Sequence, residues 1–311
     1  MQPFDTLIAV DWSAASVPVK GANSIWISRR SARPGDQGRN RLTNFSTRLE
    51  AERFLSREIR RSQVEGTRLL MGFDFPFGYP EGFAERLADQ AKARGLDLGD
   101  ERNLWCVIWR VFSALIEDDA RNANNRFAVG AELNRWLGFG EGPFWGCPRH
   151  HAGPDLSPFR PAKHILSERR MCEVPVPKSQ PGWKLAYVGS VGSQGLMGIP
   201  VLQRLRQRHG VGVWPFEPVP SQGATQIFTE LYLSLWPIPA MGGPCKDADQ
   251  VSAMTAGWRG NQTALARWLT DPYPAAVLRE EGWVLGVPSP LSNAGSLTAK
   301  GVQRDDVVTS G

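Results

Sequence analysis

The sequence predicts an α/β protein: a mixed sheet flanked by helices and interrupted by a large, mostly helical insertion. Residues 6–46 read as three consecutive strands, a helical repeat and a further apolar strand follow by residue 74, and strand and helix patterns return after residue 211. A helical crossover joins parallel neighbours, so the fourth strand is expected beside the first and parallel to it.

Each element has its own local reason. Thr6–Asp11 is an apolar run ending in a carboxylate and Ser24–Ser28 alternates in period two, which together read as a hairpin, with a third strand near Arg41–Ser46. Ala51, Phe54, Leu55 and Ile59 recur at helical spacing until Gly66 stops the pattern. Arg68–Asp74 is the fourth strand, broken by Pro76 and Pro80. From 81 to 210 the texture changes. Helical stretches (Phe83, Leu87, Ala91; then Leu104, Ile108, Val111, Leu115) give way to a Pro-, Gly- and aromatic-rich stretch over 140–181, and Lys184–Val188 reads as a strand, 189–198 as a glycine loop and 199–209 as a helix. The core resumes with 212–217, a strand over Gln226–Tyr232 and a helix from Lys246 to Trp258. The expected division is a core of 1–80 and 211–287, an insertion of 81–210 that roofs the core's strand ends, and a small, polar, loose tail of 288–311.

Composition excludes several classes. With 41% hydrophobic and 22% charged residues over 311 positions, neither a disordered nor a collagen-like chain fits. No fixed-period repeat marks a solenoid or propeller. No run reaches the roughly 18 apolar residues of a membrane span, and the N-terminus has no basic leader region. A cytoplasmic protein with no membrane partner is the expectation. Cys106, Cys147, Cys172 and Cys245 are scattered without a Cys-x-x-Cys pair, which suits reduced thiols. The net charge of +5 is carried by arginine, 29 against 7 lysines, and planar guanidinium forks suit phosphate-bearing partners.

The chemistry-bearing pattern is a set of carboxylates at element ends. Asp11 closes the first strand, Asp74 the fourth, Glu230 lies in a late strand and Asp247 at the start of a late helix. Ligands bind at the carboxyl ends of strands in such sheets. Acids that converge there repel one another unless a divalent cation, Mg²⁺ or Mn²⁺, neutralises them. Two such ions about 4 Å apart activate water and stabilise the leaving oxygen of a phosphodiester. Asp11, Asp74, Glu230 and Asp247 are therefore the candidate catalytic residues, with Asp11, Asp74 and Asp247 as metal ligands. Either strand-end aspartate alone is better read as a turn or cap residue, and it is the ordered set that reverses that reading. At about 100° per residue, Asp247 shares a stripe with Val251, Met254 and Trp258, whereas Asp249 points away and is expected to be solvated.

The segments Ile8–Ala14, Met71–Pro80, Thr229–Tyr232 and Lys246–Val251 resemble a domain-of-unknown-function group of predicted ribonuclease H-like nucleases, some of whose relatives carry a cobalamin-biosynthesis label. The resemblance covers about residues 4–80 and 211–258 and implies a ribonuclease H-like fold with Asp11, Asp74, Glu230 and Asp247 as its metal site. Leu233 stands where relatives usually have proline after Glu-x-Tyr, a departure beside Glu230. No motif connects to corrin chemistry.

Candidate substrate contacts are Ser13 and Lys20 in and after the first turn, Arg121, Asn125 and Arg126 in an Arg/Asn segment ending at Phe127, Gly192 in the glycine loop, and Lys246 beside Asp247. The partner expected is nucleic acid or a nucleotide. Cys147, His150, His151, His164 and Cys172 include zinc-ligand types, but their spacing is that of no zinc module, and surface histidines with buried thiols describe them better. Two other functions stay open. Sugar kinases and actin-like ATPases also begin with a strand-end Asp and a serine-containing turn, although only one such hairpin is present here; a catalytically idle nucleic-acid-binding module is the third.

Overall fold

Leu7–Val10 and Leu69–Phe73 are almost wholly shielded from solvent, and strands buried on both faces need cover on both sides. The computed structural model supplies it, and describes residues 1–33, 38–99, 103–138, 140, 142–162, 165–235 and 239–292. A six-stranded mixed sheet is made of β1 (Thr6–Asp11), β2 (Ile25–Ser31), β3 (Asn40–Phe45), β4 (Arg68–Phe73), β5 (Gly212–Val213) and β6 (Thr225–Glu230), in the order β3-β2-β1-β4-β6-β5. β1, β2 and β3 pair antiparallel, while β1, β4, β6 and β5 run parallel. The helical crossover between β1 and β4 is α1 (Arg48–Val64), started by a capping box in which Thr47 and Glu50 satisfy each other's backbone N–H groups.

Strand alternation sorts the core into two layers. Ile8, Val10, Leu69, Met71 and Phe73 pack with α1, α2 (Phe83–Ala93), α3 (Leu104–Leu115), α4 (Arg126–Leu137) and α5 (Gly192–His209). Leu7, Ala9 and Leu70 face α6 (Lys246–Gly260) and α7 (Gln262–Trp268), where Val251, Met254, Trp258 and Leu265 are buried. Residues 81–210 thus have no separate core, because their helices share the first layer with the sheet. Among the described residues no helix is long and apolar enough to cross a membrane.

Two expectations along the insertion are corrected. Lys184–Val188 is not a strand; a single bridge from Trp145 to Lys184 is all the pairing it makes. Gly192–Gly198 is not a loop but the first two turns of α5. The glycines there serve close packing: a Cβ at Gly192 would lie 2.4 Å from the Gly182 carbonyl oxygen, and one at Gly198 2.2 Å from the Phe75 ring. Among the described residues, the stretch between α4 and α5 holds only short 3₁₀ turns at Arg149–His151 and Met171–Glu173, so it is less helical than its flanks. At the other end of the chain, residues 288–292 are partly packed, with Ser289 Oγ donating to the Pro272 carbonyl. The rest of the expected tail, 293–311, lies outside the described residues.

Gly72 in β4 lets α6 approach the sheet, since a Cβ there would stand 2.4 Å from Trp258 Cη2 and 2.6 Å from Leu231 Cδ2. Gly72→Ala is expected to cost about 1–3 kcal/mol through overpacking, measured as a lower urea midpoint with an unchanged slope.

Candidate active site

The parallel register of β1 and β4 builds the centre of the site. Val10 lies opposite Phe73, so the next residues, Asp11 and Asp74, stand side by side at the strand ends. By strand parity both fall on the face of Leu7, Ala9 and Leu70, the face that α6 covers. The two carboxyls stand within interaction range of each other, and their mutual repulsion favours a proton held by the pair. Asp74 Oδ1 also accepts from the Trp12 backbone N–H at 2.7 Å. Asp247, in the first turn of α6, faces the pair, and its Oδ2 accepts from the Asn23 backbone N–H at 2.8 Å.

This crowding shifts the protonation equilibria. Burial pushes the Asp11 carboxyl well above the usual carboxylate range, and the charge of Asp74, its hydrogen bond and the charge of Asp247 push it further. Asp74 is raised to about 6 by burial, a rise that hydrogen bonds from Asp11 and Trp12 restrain and Asp247 enhances. Among the described residues no three His, Cys, Asp or Glu side chains already converge on a common metal position. What is present is a carboxylate pair with a third acid facing it. The donor chemistry nevertheless fits a hard divalent cation: all the groups are oxygens, their mutual repulsion needs a counter-charge, and Gln194 Oε1 on the same wall is buried without a hydrogen-bond partner.

A cavity of about 810 Å³ opens over these acids. Ser13, Arg126, Lys178, Tyr187, Gln194 and Lys246 are among its lining residues. The walls come from the turn after β1, the start of α4, the irregular stretch before α5 and the start of α6, so residues 81–210 do contribute a wall over the strand ends.

Of the substrate-contact candidates, Ser13, Arg126 and Lys246 reach the cavity. Ser13 Oγ donates to Asn23 O and accepts from Ala15 N, shaping the turn that follows Asp11. The other four do not line it. Lys20 is exposed beside Glu50 and does not line the cavity. Arg121 is exposed in a turn held by Asp119. Asn125 closes that loop, its side chain accepting from Glu117 N and donating to Leu115 O. The Gly192 N–H is spent on Lys184 O.

Glu230 is likewise moved out of the acid cluster. Its Oε1 accepts from Arg170 Nη2 at 2.5 Å, and its Oε2 from Arg170 Nη1 at 2.8 Å and from the Phe77 N–H at 3.1 Å. Arg170 also pairs with Glu173 at 2.8 Å, and all three side chains are buried. Asp249, expected to be solvated, instead accepts from the Gly243 N–H at 2.7 Å and ties down the segment before α6. Cys147 and Cys172 are buried in different clusters, His150 and His151 stack on each other with His151 against Phe127, and His164 lies outside the described residues.

Sequence reasoning missed Arg170, which sits in an Arg-Arg pair that nothing distinguishes from surface arginines. It also missed Arg48, buried at 1% exposure. Arg48 binds both oxygens of Asp118, the Asn122 carbonyl and the carbonyls of Ser13 and Ala15. The chain matches no protein-family model, no curated protein and no solved structure.

Two measurements follow from these geometries. In the native protein Asp74 keeps its proton to about pH 6, while the unfolded carboxyl releases it near 3.8. Between those values the native state binds more protons, so stability falls as pH rises. Without divalent cations the wild type should lose on the order of 2–3 kcal/mol more than Asp74→Asn between pH 4 and 7.5, read from urea titrations. Glu230→Gln should destabilise the fold by about 3 kcal/mol, because it leaves Arg170 short of a buried counter-charge.

Proposed function

We propose that the protein is a divalent-cation-dependent nuclease or phosphodiesterase built on a ribonuclease H-like core. The observation that carries this reading is the side-by-side Asp11–Asp74 pair at the ends of β1 and β4, faced by Asp247, beneath a cavity edged by Arg126, Lys178 and Lys246. Three antiparallel strands followed by parallel strands reached through a helical crossover support the core assignment. The site's position at the carboxyl ends of the parallel strands supports a ligand-binding role. One such sheet is described, and nothing in it favours the duplicated actin-like arrangement.

Asp11 and Asp74, with Asp247 as third carboxylate, would hold Mg²⁺ or Mn²⁺. The bound ion supplies a water of lowered pKa and neutralises charge on the leaving oxygen. The chain's own groups prepare the site. The Trp12 N–H aims Asp74, the Asn23 N–H holds Asp247, and Asp11 keeps a proton until a stronger cation replaces it. Arg126, Lys178 and Lys246 draw a polyanion toward these acids. Glu230, neutralised by Arg170, anchors the wall from behind.

Turnover of bis(p-nitrophenyl) phosphate and of oligonucleotides with Mn²⁺ tests this directly. Asp11→Asn, Asp74→Asn and Asp247→Asn should each lower it by about 100-fold or more, beyond what outer partners of a metal site usually cost. Asp249→Asn should stay within about threefold. Mn²⁺ should raise the melting temperature of the wild type but not of Asp74→Asn. Turnover that persists in EDTA, or in Asp11→Asn, would overturn the assignment.

A further inference from the structure

Arg126, half-buried on the cavity wall, differs from the buried arginines Arg48 and Arg170. Arg48 has Asp118 and Arg170 has Glu230 and Glu173 as counter-charges. Arg126 has only neutral acceptors: its Nε donates to Ser193 Oγ at 3.1 Å, and its Nη1 to Ser16 Oγ at 2.8 Å and Asn124 Oδ1 at 2.7 Å. Among the described residues no carboxylate lies within ion-pairing distance of it, and Nη2 has no protein acceptor. The guanidinium lies over the Phe127 ring at 4.3 Å, and burial, aided by the charge of Arg48 and opposed by that of Asp118, pushes it down to about 10. A half-buried cation fixed by three segments, with no carboxylate in direct contact, is completed favourably by an anion from outside.

Its place in the cavity is defined. Ser193, which accepts from Arg126, adjoins Gln194, whose Nε2 donates to Trp12 O at 3.3 Å, and Trp12 follows Asp11. The guanidinium and the acids are therefore separate stations of one cavity. On its wall Tyr187 is 56% exposed, although its hydroxyl is tied to Cys147 O at 2.7 Å. The backbone of Tyr187 has φ +75°, a left-handed conformation unusual for a non-glycine residue. Such strain persists where the surroundings enforce it, often at ligand sites. The ring is tethered through its hydroxyl and is more than half exposed.

We propose that the cavity takes an unpaired nucleic acid strand, with Arg126 holding a backbone phosphate next to the one at the carboxylates and Tyr187 stacking a base. This rests on the nuclease reading. A volume of about 810 Å³ suits one or two nucleotides rather than the width of a duplex, and a base offers its face to an aromatic ring only when it is unpaired.

The test is binding without cleavage. In EDTA, on an Asp11→Asn background, the fluorescence anisotropy of labelled dT8 is compared with that of a blunt duplex of equal length. The octamer should bind at least about tenfold more tightly than the duplex. Arg126→Gln should weaken it about tenfold and lower the salt slope by about one, with Arg126→Lys intermediate. Tyr187→Ala should weaken it about fivefold or more, and Tyr187→Phe should restore it. Circular dichroism and melting confirm that each variant is folded. Equal or tighter duplex binding, binding of dTMP as tight as that of the octamer, or folded Arg126 and Tyr187 variants within twofold would each overturn the strand. The hydrolase reading is judged separately, on bis(p-nitrophenyl) phosphate, so either can fail without the other.

Discussion

Two carboxyls at the ends of adjacent parallel strands cannot both carry full charge in a shielded place without a compensating cation, and much of this architecture bears on that constraint. The register of β1 with β4 makes Asp11 and Asp74 neighbours. α6 then adds Asp247 from the face above. In the cation-free state a proton takes up the strain, at a cost in stability that grows as the solution becomes less acidic. The arrangement carries a stability cost in return for a place that favours positive charge.

The walls depend on a different device. The irregular chain between α4 and α5 cannot hold itself in shape through helical hydrogen bonds, so buried arginines tie the wall segments to the core. Arg170 binds Glu230 at the end of β6, and also the Glu281 carbonyl. Arg48 fastens the turn after Asp11 to the loop before Arg126 through Ser13, Ala15 and Asn122. Each clamp joins segments distant in sequence, and each buries charge that needs its partner.

Much of the sheet was legible in the sequence because its signals are local. The hairpin, the helix stopped near Gly66 and the apolar run to Asp74 follow from periodicity and turn residues, and the parallel pairing follows from the crossover rule. Asp11, Asp74 and Asp247 were legible as positions, since strand and helix phase carry them to one end. Glu230 was not, because its phase shows where it sits but not that Arg170, 60 residues earlier, would occupy both its oxygens. Gly192 misled for a related reason: glycine serves a phosphate loop and a tight helix contact equally well, and only the neighbouring carbonyls distinguish them. In the Arg/Asn segment, Asn122 and Asn125 build the loop and Arg126 alone reaches the cavity, a division of labour set by tertiary contacts.

The path of the chain through the sheet has a consequence during synthesis. β1 and β4 can pair once the first quarter of the protein has left the ribosome, but the face formed by Leu7, Ala9 and Leu70 is covered by α6, which emerges some 180 residues after β4, and the Asn23–Asp247 bond spans 224 positions. Until then an apolar surface and an open strand edge stand uncovered, the state in which nascent chains are most prone to stick to one another. Translation speed and chaperone supply should therefore govern the yield of soluble protein more strongly than the stability of the finished fold does.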